Sequence, residues 1–516
     1  MYSKHDLTVI VPTLGRDLAL LQQVAARVDA ADLALRIVWD GRNPLTDEIR
    51  QTILGMARQV EIIEHTHNRG LSAARNTGAK DLPTALGMFI DDDIIPREGF
   101  ADDVIAFHNH HTDPLTMLMG CVSWRNTPYA NSLTEWFETL GNWSVFHTAT
   151  AGQPLSNFMG GFTSFKADAL QGISFDESFT RYGCEDVEFG YRFFRQGGRL
   201  VYWPSVHGAH HKQLDLATYC RDHVGAGHSR GILMRLHPDV AFDFNLICRA
   251  ILHPLPASHH AALMQCAEHF LSSQHAASSG QEIHALMQTL TEHSMQTGLA
   301  EYLCAQHTGF AQAYGTPDMD ADALVNNVDD FAPFLVMRAK QSKNAAARQT
   351  LLNRAQELMP HYAEPYLLRV KWAGALDTAT QAALATFHAA WNHAIDMRTE
   401  RAILQHLGRT GTAQHDPNTL SARDLFFRME EAARSARDDE VARLAEMILT
   451  KDATYVGAYI AWARTLPGTD NALRRLLLRL AEHFVKNRPA HEQAQRRAEI
   501  LALAAETTQI NSEQAR

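Results

Sequence analysis

The chain has 516 residues, 46% of them apolar, and a net charge of −11. That is too long for one ordinary domain, so two or three are expected, and the apolar share is ample for folded cores. The acidic balance argues against nonspecific binding to nucleic acid or to anionic membranes.

In chain order, LTVIVP (7–12) is a β-branched run closed by Pro-Thr, which reads as a buried strand and then a loop. Residues 17–30 repeat apolar positions at helical spacing. LRIVWDG (35–41) is a second strand ending in Asp40, residues 46–58 read as helix, VEIIEH (60–65) as a third strand, and LSAARNTGAK (71–80) as a helix. GMFI (87–90) is a short buried strand that runs into Asp91, Asp92 and Asp93. Strands alternating with helices predict an α/β fold, a mostly parallel sheet with helices on both faces. Ligands of such sheets sit beyond the C-terminal strand ends. Pro12-Thr13, Asp40, Asn68 and the acidic triplet all lie at such ends, so four separated segments line one crevice.

From about residue 215 Ala, Leu, Gln, Glu, Arg and His dominate and β-branched runs almost vanish, which predicts an all-helical region. SSQHAASSG (272–280) reads as a break inside it. Residues 345–376, with Pro360 at a corner, and residues 439–466 have the apolar spacing of helical hairpins, weakly similar to tetratricopeptide repeats but without a regular 34-residue period. A plain helical bundle is the equal alternative. The expected division is 1–237, 238–310 and 311–516. No stretch reaches the apolar length of a membrane span, MYSKHDLTVIVP lacks a signal-peptide layout, and the six cysteines include no C-x-x-C, so a cytoplasmic protein with reduced thiols is expected. Most of the 28 histidines lie singly among helical residues, where a structural role is expected.

The triplet carries the chemistry. Side chains i and i+2 of a strand share a side, so Asp91 and Asp93 would converge while Asp92 faces away. Two convergent carboxylates at that sheet edge make a hard-cation site for Mg²⁺ or Mn²⁺ beside a diphosphate. Taken alone, the triplet would be a solvated acidic turn closed by Pro96; its setting reverses that reading.

The setting resembles a known family. Residues 68–96 hold N-x-G-x-x-x-A-R-N-x-G, a spacer, an apolar strand, D-x-D and a proline, which resembles the signature of family 2 glycosyltransferases. A second block, FDESFTRYGCEDVEFGYRFFRQGGRLVYWP (175–204), fits the same family through Glu185, Asp186, Arg192 and Gly197. The resemblance covers roughly residues 5–237. It implies a GT-A-type fold and transfer of a hexosyl or N-acetylhexosaminyl group from a nucleotide sugar, a UDP-sugar first, to a glycan, protein or peptide. It also implies Mn²⁺ or Mg²⁺ on Asp93, with Asp91 on metal or ribose and a histidine after the second block, His210, with His207 and His211 as rivals. Asp186 would be the catalytic base and Glu185 would bind the acceptor or the donor sugar. A carboxylate base with no sign of a covalent nucleophile favours inversion.

Pro12, Thr13, Arg16, Asp40, Arg75 and Asp92 would line the nucleotide-sugar pocket, and Gly160-Gly161 would let backbone approach the donor sugar. The family's acidic doublet after the second strand is Trp39-Asp40 here, which leaves Asp40 as the one carboxylate for the base. Trp39 stacks there or belongs to the core. Arg75 pairs with phosphate or bridges to the triplet. Trp124, Trp136 and Trp143 would offer an acceptor platform. A helical tail behind such a domain would support oligomerisation or acceptor capture. The rival class is a non-catalytic scaffold built on a degenerate transferase domain, against which the intact Asp91/Asp93 and Glu185/Asp186 pairs argue.

Overall fold

The structure is a computed structural model of the chain. It describes all residues except 42, 142, 156–157, 273–279, 374–377, 392–396, 408–424, 427–428, 430–431, 434–436, 452–454, 467–470, 486–495, 502 and 505–516. The first elements are β1 (Leu7–Thr13), α1 (Leu18–Ala30), β2 (Ala34–Trp39), α2 (Asp47–Leu54), β3 (Val60–Glu64), α3 (Leu71–Ala79) and β4 (Leu86–Ile90). They are followed by β5 (Ile94–Pro96), α4 (Phe100–His110), β6 (Thr116–Ser123), α5 (Ser132–Thr139), α6 (Val145–Thr148), β7 (Pro154–Leu155), β8 (Phe162–Lys166), α7 (Glu185–Arg195) and β9 (Arg199–His210).

One sheet runs β3-β2-β1-β4-β8-β6-β9-β5, with β7 on β9. β1 pairs in parallel with β2 and β4, and β2 with β3. β8 is antiparallel to β4 and β6, and β5 to β9. The sheet is therefore mixed rather than mostly parallel. The strand–helix–strand rhythm that parallel pairing needs runs only through the first four strands. β1 is central and all seven of its residues are buried, as expected for a strand covered on both faces. A Cβ at Gly78 would sit 2.3 Å from Ile10 Cγ2, so α3 lies hard against β1.

Helices follow: α8 (Leu216–Leu236), α9 (Pro238–Ala241), α10 (Phe244–Leu252), α11 (Ala257–Ser272), α12 (Gly280–Gln306) and further ones to His406. α8 and α12 cross at glycines: a Cβ on Gly227 would meet the Met295 carbonyl oxygen at 1.9 Å, and one on Gly298 the Val224 oxygen at 1.8 Å. The helices Ala345–Leu358 and Glu364–Ala373 meet around Pro360 as expected. Most of the break expected at 272–280 lies outside the described residues.

The chain divides into two compact units, residues 1–192 with 200–410, and 193–199 with 411–516. The boundary expected after residue 237 falls inside the first. There one buried apolar cluster joins Phe179 and Ile232 to Leu303, Phe334 and Leu368. The composition change at 215 marks where strands stop, not where packing stops. In the second unit, Asp438–Lys451, Val456–Thr465 and Asn471–Val485 are helices around Leu444, Ile448, Ile460, Leu477 and Ala481. No helix among the described residues is long and apolar enough to cross a membrane.

Candidate active site

The first motif block is explained position by position. Asp40, at the end of β2, is buried. Its Oδ1 accepts from His65 Nδ1 at 2.7 Å and from the Arg69 N–H at 2.7 Å. Its Oδ2 accepts from Asn68 Nδ2 at 3.0 Å and from the Gly70 N–H at 2.8 Å. Those bonds fill the carboxylate's lone pairs. Asp40, expected at the nucleotide, ties down the turn that starts α3. Two side chains of α3 reach the second block. Asn76 bonds Phe175 twice, Nδ2 to the carbonyl and Oδ1 from the N–H, both at 2.8 Å. Arg75, 2% exposed, donates from Nη1 to Asp186 at 2.7 Å, lies 3.5 Å from Glu185, and donates from Nη2 to Asp91 at 3.3 Å.

The acidic triplet is a turn, not a continued strand: the Ile94 N–H bonds the Asp91 carbonyl at 3.0 Å. Strand alternation therefore lapses, and the carboxylates that were expected to converge fan out to separate partners. Asp91 turns to Arg75. Asp92 accepts from the Thr13 hydroxyl at 2.5 Å. Asp93 Oδ1 lies 3.4 Å from His210 Nε2. Burial pushes Asp91 up, with the Asp93 and Asp186 charges adding to it and Arg75 opposing. Burial pushes Asp92 up to about 7, against the Thr13 hydrogen bond and exposed Arg16. Burial would also raise Asp93, but His210 and Lys212 outweigh it and hold that carboxyl low. Pro12 is buried inside β1. Trp39 is core: a Cβ on Gly15 would land 2.0 Å from its ring.

Asp186 lies in the first turn of α7, yet its carboxylate does not cap that helix. Oδ2 accepts from the Gly160 N–H at 2.9 Å, opposite the Arg75 bond. The paired glycines are needed for room. A Cβ on Gly160 would meet Arg75 Nη1 at 2.8 Å, and one on Gly161 would meet Asp91 Oδ2 at 2.4 Å. Glu185 is raised to about 7 by burial and by the Asp186 charge, against Arg75. Arg192 serves the fold: it pairs with Glu188 at 2.6 Å and bonds the Ser174 carbonyl.

The partners of His210 escaped the sequence reading. Its ring is stacked on Trp143 at 5.1 Å and 2° and lies 4.2 Å from Trp124. Trp124 and Trp136 are buried and belong to the core rather than to a sugar platform, and Trp124 Nε1 donates to the Lys212 carbonyl at 2.7 Å. His207 falls on the other face of β9 from His210, and His211 follows the strand's end with its N–H on the Asp93 carbonyl.

The sequence model described as glycosyl transferase family 2 matches residues 8–173. This stretch is a family 2 glycosyltransferase domain. The chain is 26% identical over 249 residues to a pre-mycofactocin glycosyltransferase of Mycobacterium tuberculosis (strain CDC 1551 / Oshkosh), covering 46% of this chain and 49% of that one. It is 25% identical over 232 residues to a validoxylamine A glucosyltransferase of Streptomyces hygroscopicus subsp. limoneus, covering 37% and 48%. The chain thus spans about half the length of the curated relatives it matches. A solved structure of GalNAc-T7 with UDP, GalNAc and Mn²⁺ aligns with a TM-score of 0.35 at 15% identity over 51% of this chain and 54% of that one, too weak a likeness to argue from.

The family 2 domain contributes all three carboxylates of the triplet, and its downstream neighbours contribute Glu185, Asp186 and His210. Among the described residues no group of three or more His, Cys, Asp or Glu side chains is arranged to hold an ion. What is present is a pair. Asp93 Oδ1 and His210 Nε2 face each other at 3.4 Å, and His210 Nδ1 is buried without a hydrogen-bond partner. Neighbouring ligands roughly 2.1 Å from one octahedral ion stand about 3 Å apart, so this carboxylate–imidazole pair fits two positions of a small divalent cation.

Proposed function

We propose that the protein is a metal-dependent, inverting glycosyltransferase that moves a hexosyl or N-acetylhexosaminyl group from a nucleotide sugar, a UDP-sugar first, to a hydroxyl of a glycan, protein or peptide. The relatives' names support glycosyl transfer, and one names a glucosyl group. The observation that carries the reading is Arg75: one buried guanidinium bonds Asp91 of the first block and Asp186 of the second. It holds one donor-side carboxylate, Asp91, and the proton acceptor on the two amino groups of a single planar guanidinium.

Asp93 and His210 would hold the divalent ion against the donor diphosphate. Bound there, the ion would supply Lewis-acid neutralisation of the charge that develops on the departing nucleotide. Asp186 would take the proton from the acceptor hydroxyl. Each of its oxygens spends one lone pair, on Arg75 and on Gly160, and keeps another for that proton. The two bonds fix the carboxylate's direction, which is what a positioned base needs. Glu185, pushed up by burial and by the Asp186 charge, would hold a proton more readily than a free carboxylate and could donate it in a hydrogen bond to a sugar hydroxyl. A base on one side of the anomeric carbon and the nucleotide on the other gives inversion.

The test is a panel of UDP- and GDP-sugars with Mn²⁺ and a mixture of simple glycoside acceptors, read by nucleotide release and by the anomeric configuration of the product in NMR. Nucleotide release and an inverted anomer are expected. A retained anomer removes the single-displacement reading, and no release from any donor removes the transferase reading.

A further inference from the structure

The helix that carries the candidate base is gripped from a second side. Glu188, two residues past Asp186 on α7, is 2% exposed. Successive helical residues turn by about 100°, so the two carboxylates leave the helix about 200° apart, on nearly opposite sides. Asp186 meets Arg75 and the Gly160 N–H. Glu188 meets Arg192, at 2.6 Å on each oxygen, and His237, whose Nε2 lies 3.0 Å from Oε1. Arg192 sits on α7 and turns with it, whereas His237 comes from the junction of α8 and α9. Burial would raise Glu188, but the His237 and Arg192 bonds outweigh it and hold the carboxyl low. An ionised carboxylate only accepts, so His237 Nε2 carries the proton in that bond.

His237 is buried, and the chain on both sides of it is braced. Two residues earlier, the Arg235 carbonyl bonds His361 Nε2 at 2.7 Å. Two residues later, Asp239 Oδ2 accepts from the Ala363 N–H at 3.2 Å. His361 and Ala363 lie in the turn between the helices Ala345–Leu358 and Glu364–Ala373, far beyond the residues that the family model matches.

The first turn of α7 needs such a hold. The chain enters it through Gly183 (φ +87) and Cys184 (φ +67). A cysteine in the left-handed region is strained and persists only where its surroundings over-determine it. Phe189 stacks on Phe175 at 4.3 Å, but apolar burial is non-directional and sets the roll of a helix less sharply than hydrogen bonds do.

We infer that Glu188 and His237 are positioning residues for the transfer step: gripped by His237, Glu188 fixes the roll of α7 and so aims the Asp186 carboxylate at the acceptor hydroxyl. This rests on the transferase reading above. It adds that helices outside the family 2 match act on the chemistry through His237. A pair that served stability alone would lower the amount of folded protein and leave the folded enzyme's base correctly aimed.

The test is a double-mutant cycle on the full chain, run with the donor and glycoside acceptor that turn over in the panel of UDP- and GDP-sugars with Mn²⁺. His237→Leu removes the ring N–H at similar volume. It should lower kcat about ten- to a hundredfold, the scale of a slightly misplaced reacting group, and leave KM for the donor and the affinity for UDP unchanged. In an Asp186→Asn background the same change should cost less than about twofold, because no base is left to aim. If His237→Leu does not fold, Glu188→Gln, which keeps the shape and weakens both bonds, goes through the same cycle with the same expectation. An equal cost in both backgrounds, or a raised KM with kcat unchanged, overturns the positioning role and leaves the transferase reading standing. If no donor of the panel turns over, the transferase reading falls and the positioning role falls with it.

Discussion

Two turns of this sheet end parallel strands at the same edge, and both carry carboxylates. At the end of β2, Asp40 is enclosed by His65, Asn68 and the N–H groups of Arg69 and Gly70. At the end of β4, Asp91 and Asp93 are only partly enclosed, 33% and 27% exposed, and their partners are the side chains of Arg75 and His210. The first turn has no lone pair left to offer a ligand. In the second, bonding capacity is left over on every oxygen and the partners are charged or can become so. A carboxylate's place at the C-terminal edge of a sheet does not decide its work; the account of its lone pairs does.

Two substitutions test that contrast. Asp93→Ala should remove most turnover, by about 10²–10³-fold if the lost ion contributed several kcal/mol, while the melting temperature hardly moves. Excess chelator should do the same to the wild type, and full activity in chelator would break the metal assignment. Asp40→Asn should behave in the opposite way. It puts an amide where two backbone N–H groups and an imidazole N–H need acceptors, so a loss of about 2–4 kcal/mol in denaturant unfolding is expected. An Asn variant as stable as wild type would mean that Asp40 is not a structural tie.

His108 gives the smallest effect and a pH signature. It is fully buried with Nε2 2.9 Å from the Ser164 hydroxyl, and burial, with Lys166 and His111 nearby, holds its pKa down at about 3. The unfolded chain takes up that proton below about 6.5, so this group's contribution is complete above 6.5 and is lost as pH falls toward 3. His108→Gln should be less stable than wild type at pH 7.5, and the gap should narrow by about 2 kcal/mol at pH 5. A gap that does not change with pH would contradict the burial of a neutral imidazole.

Much of this was legible. The strands were bounded by β-branched runs and Pro or Asp stops. The N-x-G-x-x-x-A-R-N-x-G block proved to be a set of contacts: Asn68 and Gly70 on Asp40, Arg75 on Asp186, Asn76 on Phe175, Gly78 against Ile10. The spread of the triplet was not legible, because a single Asp91–Ile94 turn cancels strand alternation. Nor was the clamp on His210, since Trp124 and Trp143 reach it only through tertiary packing. The boundary at 237 was read from composition, which carries no sign of the cluster that spans it. A chain cut there would strip Phe179, Ile232 and Met234 of the α10, α12 and later partners in their cluster.

On the proposed reading, Asp186 is held for proton transfer rather than for the fold. Asp186→Asn keeps the shape and removes the basicity. Measured on one preparation, turnover of the nucleotide sugar with its acceptor should fall by about 10²–10⁴-fold while nucleotide binding stays close to wild type; the amide meets a donor, Arg75 or the Gly160 N–H, so some stability is lost as well. An Asn variant that turns over normally would contradict the claim, and the base would have to be sought elsewhere in the cleft, first at Glu185.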